Sequence, residues 1–375
     1  MIAASRSTVS VSNTVLYVAF ELGKRQWKLA LTSGFGVAPV LQTVASGDWA
    51  AVDRALGAGR ARLGLAAEAV VVSCYEAGRD GFWIHRALQA RGVQNRVVDS
   101  SSIEVKRRAR RTKTDRIDAL KLVTMLVRAC LGEPRVWSEV HVPSVAAEAA
   151  RHVSRERQAL TEDRTRLVNQ MRSWLATWGA SLPRPQADGW WTQVRDWAGA
   201  ALPVSVQQRL ARAQARLALI AEQLTTLDTQ QAAVIAATAP ETPAQRLVQL
   251  KGIATTSASV LLDEGLVWRA FANRRQIGGL LGFAPSPYES GETSRDQGIS
   301  RAGNDRLQSV MVQLAWSWVQ WQRTSALTRW YQERFGQGKR ARKVGIVALA
   351  RKLLIALWRW ATHGVLPTGA ILKRA

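Results

Sequence analysis

Six cations, Lys106, Arg107, Arg108, Arg110, Arg111 and Lys113, lead directly to two carboxylates, Asp115 and Asp118. A spacing of i, i+3 places both acids on one face of a helix. Paired carboxylates offer oxygen ligands to a divalent cation, and a cationic run beside them holds phosphate, so the pattern describes a metal site beside a polyanion. From this stretch alone, a basic segment entering an amphipathic helix whose acids offset its charge reads equally well. Two further acids close apolar runs. Val15-Leu16-Tyr17-Val18-Ala19-Phe20 ends on Glu21, and Ala69-Val70-Val71-Val72-Ser73-Cys74 ends near Glu76.

Both runs have the composition of buried strands. Gln26 to Leu31 alternates as the return strand of a hairpin, and Val37 to Val44 supplies a third strand. Trp49 to Leu63 has helical spacing, Gly81 to Ala90 is a short helix, and Arg96 to Asp99 is a short strand. Asp115 to Arg128 is a helix whose apolar stripe holds Ala119, Leu122, Val123 and Leu126, and the two aspartates extend that stripe. Three strands, then helix, strand, helix, strand, helix predict a mixed α/β sheet of the ribonuclease H type, with the first and fourth strands adjacent and parallel. Glu21 and Glu76 then stand together at neighbouring strand ends, and Asp115 and Asp118 approach from the last helix. Four converging carboxylates repel one another unless cations bind them, which points to Mg²⁺, and an oxygen-only ligand set argues against zinc. Asp99, also at a strand end, reads as a cap for the turn through Ser100 to Ser102.

The chain of 375 residues has 52 Lys and Arg against 28 Asp and Glu, a net charge of +24. That imbalance points to a phosphate-bearing partner. The cations are spread along the whole chain, which favours nucleic acid over a membrane surface. No segment reads as a membrane span or secretory leader, and two cysteines are too few for a disulfide framework, so a cytoplasmic, nucleoid-associated protein is expected. Most of the 16 tryptophans are expected in the core.

Beyond Val145 the composition becomes that of long charged helices. Val153, Leu160, Leu167 and Trp174 are seven apart, and Leu210, Leu217 and Leu224 pair with Ala213, Ile220, Leu227 and Val234 in a stronger heptad. An antiparallel hairpin or an intermolecular coiled coil satisfies it, and so does a plain helical spacer. Leu247 to Ala254, entering a helix from Thr256 to Glu264, resembles a helix-hairpin-helix that aims N–H groups at phosphate, with Ala254 where a second glycine is common. A polar loop spans Ser286 to Arg295, a Trp-rich helix Arg306 to Gln322, and a basic helix Lys339 to Trp360. Lys339, Arg340, Arg342 and Lys343 open this last helix as a phosphate surface.

Five motifs occur in order: Glu76-Ala77-Gly78, Lys113-Thr114-Asp115-Arg116-Ile117-Asp118-Ala119, Gly282-Phe283-Ala284-Pro285, Ser290-Gly291, and Ile299-Ser300-Arg301-Ala302-Gly303-Asn304. Together they resemble the DEDD-type insertion-sequence transposases described as bridge-RNA-guided recombinases, from about Leu16 to Leu354. The resemblance implies a resolvase-like ribonuclease H domain (1–144), a coiled-coil region (145–239) and a mostly helical C-terminal transposase domain (240–375). It assigns Glu76, Asp115 and Asp118 to the acidic cluster and Ser290 to the nucleophile, ahead of its hydroxyl neighbours Ser286, Thr293 and Ser294. Glu21 stands where most relatives have aspartate. Arg295 and Arg301 are candidates for holding the scissile phosphate.

The implied partners are donor and target DNA, a structured bridge RNA, and further copies of the chain in a dimer or tetramer that shares its active sites. Two alternatives stand beside strand exchange. One is a metal-dependent nuclease or junction resolvase that hydrolyses DNA with the acids alone, and the other is a non-catalytic scaffold for RNA and DNA.

Overall fold

The computed structural model describes residues 15–103, 115–183, 189–266, 269, 271, 273–283, 299 and 303–373, together with the strand backbone of 285–290 and 293–298. It divides into two compact units, Met1–Val142 and Pro143–Ala375. Among the described residues, no helix is long and apolar enough to cross a membrane.

The first unit contains β1 (Val15–Leu22), β2 (Gln26–Thr32), β3 (Val40–Ala45), α1 (Trp49–Arg62), β4 (Val70–Glu76), α2 (Trp83–Gln89), β5 (Gln94–Val98) and α3 (Asp115–Cys130). The sheet order is β3-β2-β1-β4-β5. β2 is antiparallel to β1 and β3, whereas β4 is parallel to β1 and β5, the mixed sheet expected from the ribonuclease H order. Period-2 alternation divides the apolar residues between two faces. Leu16, Val18 and Phe20 of β1 join Leu29, Leu31 and Val71 in a core with α1 and α2. Ala19, Ala30, Val72 and Cys74 face Ala119, Leu122, Val123 and Leu126 of α3. Small side chains on this second face let α3 lie close to the sheet. Burying Leu122 and Leu126 there contributes about 1.5–3 kcal/mol each.

The second unit begins with two long helices, α4 (Val145–Ala176) and α5 (Val204–Ala236). Leu167, Met171 and Leu175 share a core with Leu210 and Ala213, while Arg157, nearer the start of α4, pairs with Asp228, nearer the end of α5. The two helices are therefore antiparallel. The heptad holds through Leu210, Ala213, Leu224, Leu227 and Gln231, and its last position then slips by one residue: Val234 is 67% exposed, and Ile235 is buried instead. A straight helix repeats every 3.6 residues, not 3.5, so a stripe read in strict sevens drifts off the buried face unless the pair supercoils.

After α5 come α6 (Pro243–Gln249) and α7 (Thr255–Leu261), then a single π turn over Leu262–Leu266. In the α6–α7 turn, Gly252 has φ +90°, and a Cβ there would approach Trp321 and Ser317 to 3.1–3.2 Å. Two of its N–H groups are engaged within the protein, Lys251 donating to Ile371 O and Ile253 to Leu250 O.

α8 (Arg274–Leu280), β6 (Pro285–Ser290), β7 (Thr293–Ile299), α9 (Asp305–Trp321), α10 (Ala326–Phe335) and α11 (Lys339–His363) complete the unit. The segment read as a polar loop is thus an antiparallel hairpin, with an irregularity between Pro285 and Pro287 where proline cannot donate to a ladder. α11 supplies Leu349, Leu353 and Leu357 to a core shared with Leu247, Ile277, Leu307 and Leu314. Most of the described tryptophans join a core, as expected: Trp27, Trp190 and Trp318 are buried, and others such as Trp49, Trp137, Trp174 and Trp358 pack half-buried against one, whereas Trp83, Trp197, Trp316 and Trp321 are exposed. An indole packs its apolar body while leaving its edge wet, so half-burial satisfies it.

The slipped stripe makes a direct prediction. Val234→Ala should change stability by less than about 0.5 kcal/mol, and Ile235→Ala should cost about 2 kcal/mol. Chemical denaturation of both variants checks it, and a larger loss at position 234 would restore the strict heptad.

Candidate active site

β1 and β4 pair in parallel register as far as Phe20 with Tyr75, so the next residues, Glu21 and Glu76, occupy adjacent strand ends. Alternation puts both on the α3 side of the sheet, with Ala19 and Cys74 preceding them by two. Glu21 is half-buried and Glu76 exposed. They line a cavity of about 380 Å³ together with Lys24, Arg79 and Asp80. The loop beyond β4 is fixed by Ala77 N–H donating to Val98 O at 2.8 Å and by Tyr75 Oη donating to Gly81 O at 3.2 Å.

α3 packs on this same face and begins with Asp115 and Asp118, whose charges suit the positive end of the helix. Asp118 is half-buried beside the core-facing Ala119, while the Asp115 side chain is 70% exposed. Lys28 is the cross-strand partner of Glu21, and its Nζ stands 3.9 Å from Asp115 Oδ2. A solvated pair of this kind is worth under about 1 kcal/mol, so the ammonium can be exchanged for another cation. Among the described residues, no three acids, histidines or cysteines lie close enough to hold a metal ion. The structure brings Glu21 and Glu76 to adjacent strand ends and Lys28 to Asp115, without drawing the four carboxylates into one cluster. Asp99 acts as read from the sequence, its Oδ1 accepting from Ser101 N and Ser101 Oγ at 2.9 and 2.8 Å.

Several predicted nucleic-acid contacts, Lys106, Arg107, Arg108, Arg110, Arg111, Lys113 and Arg301, lie outside the described residues. Arg295 is in β7 opposite Tyr288, and Ser290 closes β6 opposite Thr293. On α11, Lys339, Arg340, Arg342 and Lys343 are all exposed. They do not act alike. Arg342 Nε donates to Gly336 O at 3.0 Å, while Arg340 and Lys343 line a cavity beside α8.

The second unit also holds a charge cluster that sequence reading missed. Glu264, on the π turn, has a fully buried side chain and meets Arg155 at 3.1 Å, Arg306 at 2.9 Å and Arg151 at 3.5 Å. Asn304 Nδ2 donates to the same carboxylate at 2.9 Å, and Asn304 Oδ1 caps α9 by accepting from Leu307 N. Glu264 therefore ties α4 to the residue that ends the fifth motif. Burial alone would raise its pKa, but hydrogen bonds from Arg155 and Asn304 and the charges of Arg155 and Arg151 bring it down to about 2. Its neighbour Asp263 is pushed up to about 6 by burial, against a Ser154 hydrogen bond and the Arg306 charge. A signal was present in Arg151 and Arg155: like charges at i, i+4 repel unless a carboxylate lies between them.

A ribonuclease H-type sheet with acids at its central strand ends, followed by a helical unit, defines an enzyme that processes nucleic acid. The chain belongs to the IS116/IS110/IS902 family of transposases, whose profile matches residues 244–331, while an IS110-type DEDD transposase profile matches residues 50–178. A candidate transposase of Sinorhizobium fredii, y4rJ, is 38% identical over 98% of this chain and 97% of its own length. Another from the same bacterium, y4qE, is 27% identical over 77% of this chain and 74% of its own. The transposase for insertion sequence element IS1328 of Yersinia enterocolitica is 28% identical over 58% of this chain and 64% of its own. The protein is accordingly an insertion-sequence transposase, and DNA is its substrate.

Glu264→Gln should destabilise the protein by about 3 kcal/mol, the low end for a broken buried pair because Arg155 stays half exposed. The acid profile follows with defined signs. The depressed pKa of Glu264 contributes stability that is complete above about pH 4.5 and is lost as pH falls towards about 2. The raised pKa of Asp263 acts oppositely, lowering stability as pH rises from about 4 through about 6, and Asp263→Asn should abolish that decline. Thermal unfolding across this range measures both, and an E264Q variant as stable as the parent would refute the role given to Glu264.

Proposed function

We propose that this transposase cuts, exchanges and rejoins DNA strands through a phosphoserine ester at Ser290, with Glu21, Glu76, Asp115 and Asp118 binding Mg²⁺. What supports the reading is the parallel β1–β4 register, which sets Glu21 beside Glu76 on the face where α3 carries its two aspartates. The Ser290 hydroxyl loses its proton and attacks phosphorus, the bond from phosphorus to a sugar oxygen breaks, and the strand is held as an ester. A sugar hydroxyl of the exchanged strand later attacks that ester and releases the serine. One phosphoester bond replaces another at each step, so no nucleotide triphosphate is consumed. Arg295 and Arg301 hold the phosphate during both attacks.

When bound by these carboxylates, Mg²⁺ would supply charge to polarise the phosphate and to stabilise the departing alkoxide. The carboxylates have the work of gathering it: Glu21 and Glu76 from the sheet, Asp118 from the first turn of α3, and Asp115 once it releases Lys28. Glu21 stands where aspartate is usual, and its extra methylene is either absorbed by a shifted rotamer or a bridging water or weakens that metal position. The antiparallel pair of α4 and α5, within the region 145–239, assembles copies of the chain so that the serine of one acts with the acids of another. An RNA encoded by the element supplies sequence choice by base pairing, which leaves no base-reading code in the protein.

Hydrolysis by the acids alone is the second reading, favoured by their grouping on one face without any contribution from Ser290. Ser290→Ala separates the two. Strand exchange and the covalent adduct should fall by roughly 10⁴-fold or more, the scale of losing a nucleophile, with DNA binding intact. Cleavage that persists with a free phosphate end would establish hydrolysis. The metal site has its own test. Lys28→Met should tighten Mn²⁺ binding by about two- to fivefold, the value of one solvated ion pair, and Glu76→Gln should weaken it. Calorimetry on the DNA-free protein measures both, and unchanged affinity in K28M would remove Asp115 from the ligand set.

A further inference from the structure

Between α8 and α11 lies a cavity of about 830 Å³ to which no residue of the proposed chemistry belongs. Arg274 and Arg275 stand on the α8 side, and Arg340, Lys343, Arg351 and Lys352 on the α11 side. No carboxylate is found among the described residues that line it. Six like charges around one hollow repel one another, and an anion of matching size relieves that repulsion. Two of the cations are held in place. Lys352 Nζ sits 4.5 Å from the centre of the Trp330 ring, and Arg351 Nε crosses α8 where only the missing side chain of Gly278 gives it room, 3.2 Å from where a Cβ would be.

The remaining lining is apolar: Phe283, Ile299, Val344, Val347, Ala348 and Ile355. Val344 is 59% exposed and Ile299 39%, so part of this surface meets water. Six cations and an apolar lining around one cavity match a nucleotide, with phosphates against the cations and the flat face of a base against the apolar side chains. The shape selects the form of nucleic acid. A paired duplex keeps its base faces stacked and presents phosphates on a convex surface, so it reaches the cations and leaves the apolar lining empty. The volume falls within the roughly 300–1,000 Å³ typical of sites for compact ligands, which suits a base turned out of its stack.

We propose that this cavity binds single-stranded DNA, seating an unpaired base against the apolar lining between α8 and α11 while the six cations hold the flanking phosphates. The β6–β7 hairpin joins this site to the proposed chemistry. Its base contributes Ile299, paired with Pro285, and its other end carries Ser290, paired with Thr293. A strand opened from its duplex is therefore gripped at one end of the hairpin whose other end bears the serine. The inference rests on DNA being the substrate and does not require Ser290 to be the nucleophile.

The test measures fluorescence anisotropy of the full-length protein in EDTA, where cleavage is suppressed, with a labelled single-stranded DNA, its duplex and an RNA of the same sequence. The DNA strand also carries 2-aminopurine, whose emission reports the surroundings of an unpaired base. Arg340→Ala/Lys343→Ala removes two exposed cations. It should weaken single-strand binding about tenfold or more and reduce the magnitude of the log–log salt slope by about 1.4, from roughly 0.7 per phosphate neutralised. Val344→Glu, at an exposed position that leaves the core intact, should weaken it comparably and abolish the 2-aminopurine response. Duplex affinity should change less than threefold in V344E. Three results would overturn the proposal: equal losses for duplex and single strand in V344E, an unaltered 2-aminopurine signal in that variant, or RNA bound more tightly than DNA with the same dependence on these residues. Because binding is read without catalysis, an inactive S290A protein that still binds the strand separates failure of the serine mechanism from failure of this site.

Discussion

Parallel pairing of β1 with β4 is the constraint from which the first unit's chemistry follows. Two parallel strands in register end together, so acids one residue beyond Phe20 and Tyr75 are neighbours although more than fifty positions separate them in sequence. Alternation then decides the side: a slip of one residue in either strand would turn its acid to the face covered by α1 and α2. The slip is opposed by the whole apolar set. Moving β1 by one residue would take Leu16, Val18 and Phe20 out of one core and force them against the small residues under α3. The position of Glu21 is thus fixed by side chains that never touch it.

Lys28 follows from the same geometry. As the cross-strand partner of Glu21 it shares the α3 face, and its ammonium stands beside Asp115. The second unit holds a different arrangement. There three guanidiniums meet on one buried carboxylate, and Glu264 keeps its charge because donors surround it despite burial. The Lys28–Asp115 pair is solvated and exchangeable, whereas the buried contacts of Glu264 fix a joint between α4 and α9.

Much of the first unit was legible in the sequence because each of its signals is local or periodic. The apolar runs before Glu21 and Glu76, the stripe Ala119, Leu122, Val123, Leu126 and the order of elements all survive in the fold. The second unit was less legible for physical reasons. The β6–β7 hairpin was hidden by two prolines and a polar composition, although Gly291-Glu292 between its strands is a recognised two-residue turn signal. Val234 was misassigned because sevens were counted where the helix follows 3.6. Glu264 was invisible because its partners come from α4 and α9, more than a hundred residues behind it and about forty ahead. The cavity between α8 and α11 belongs to the same class, since its two walls are remote in sequence.

The distribution of charge links these observations. A net charge of +24 spread evenly would give a protein that adheres to any polyanion by counterion release, with little distinction between duplex and single strand. Distinction requires that some cations be tied down and others be set around a shape. Arg151, Arg155 and Arg306 are tied to Glu264, and Arg342 to Gly336, so neither group is fully available to a phosphate. Arg274, Arg275, Arg340, Lys343, Arg351 and Lys352 surround a hollow with an apolar lining. An anion without a flat apolar group satisfies only the cations of that hollow, and a base without its phosphates satisfies only the apolar side chains. Selectivity for an opened strand then arises from geometry acting on a charge excess that is itself unselective.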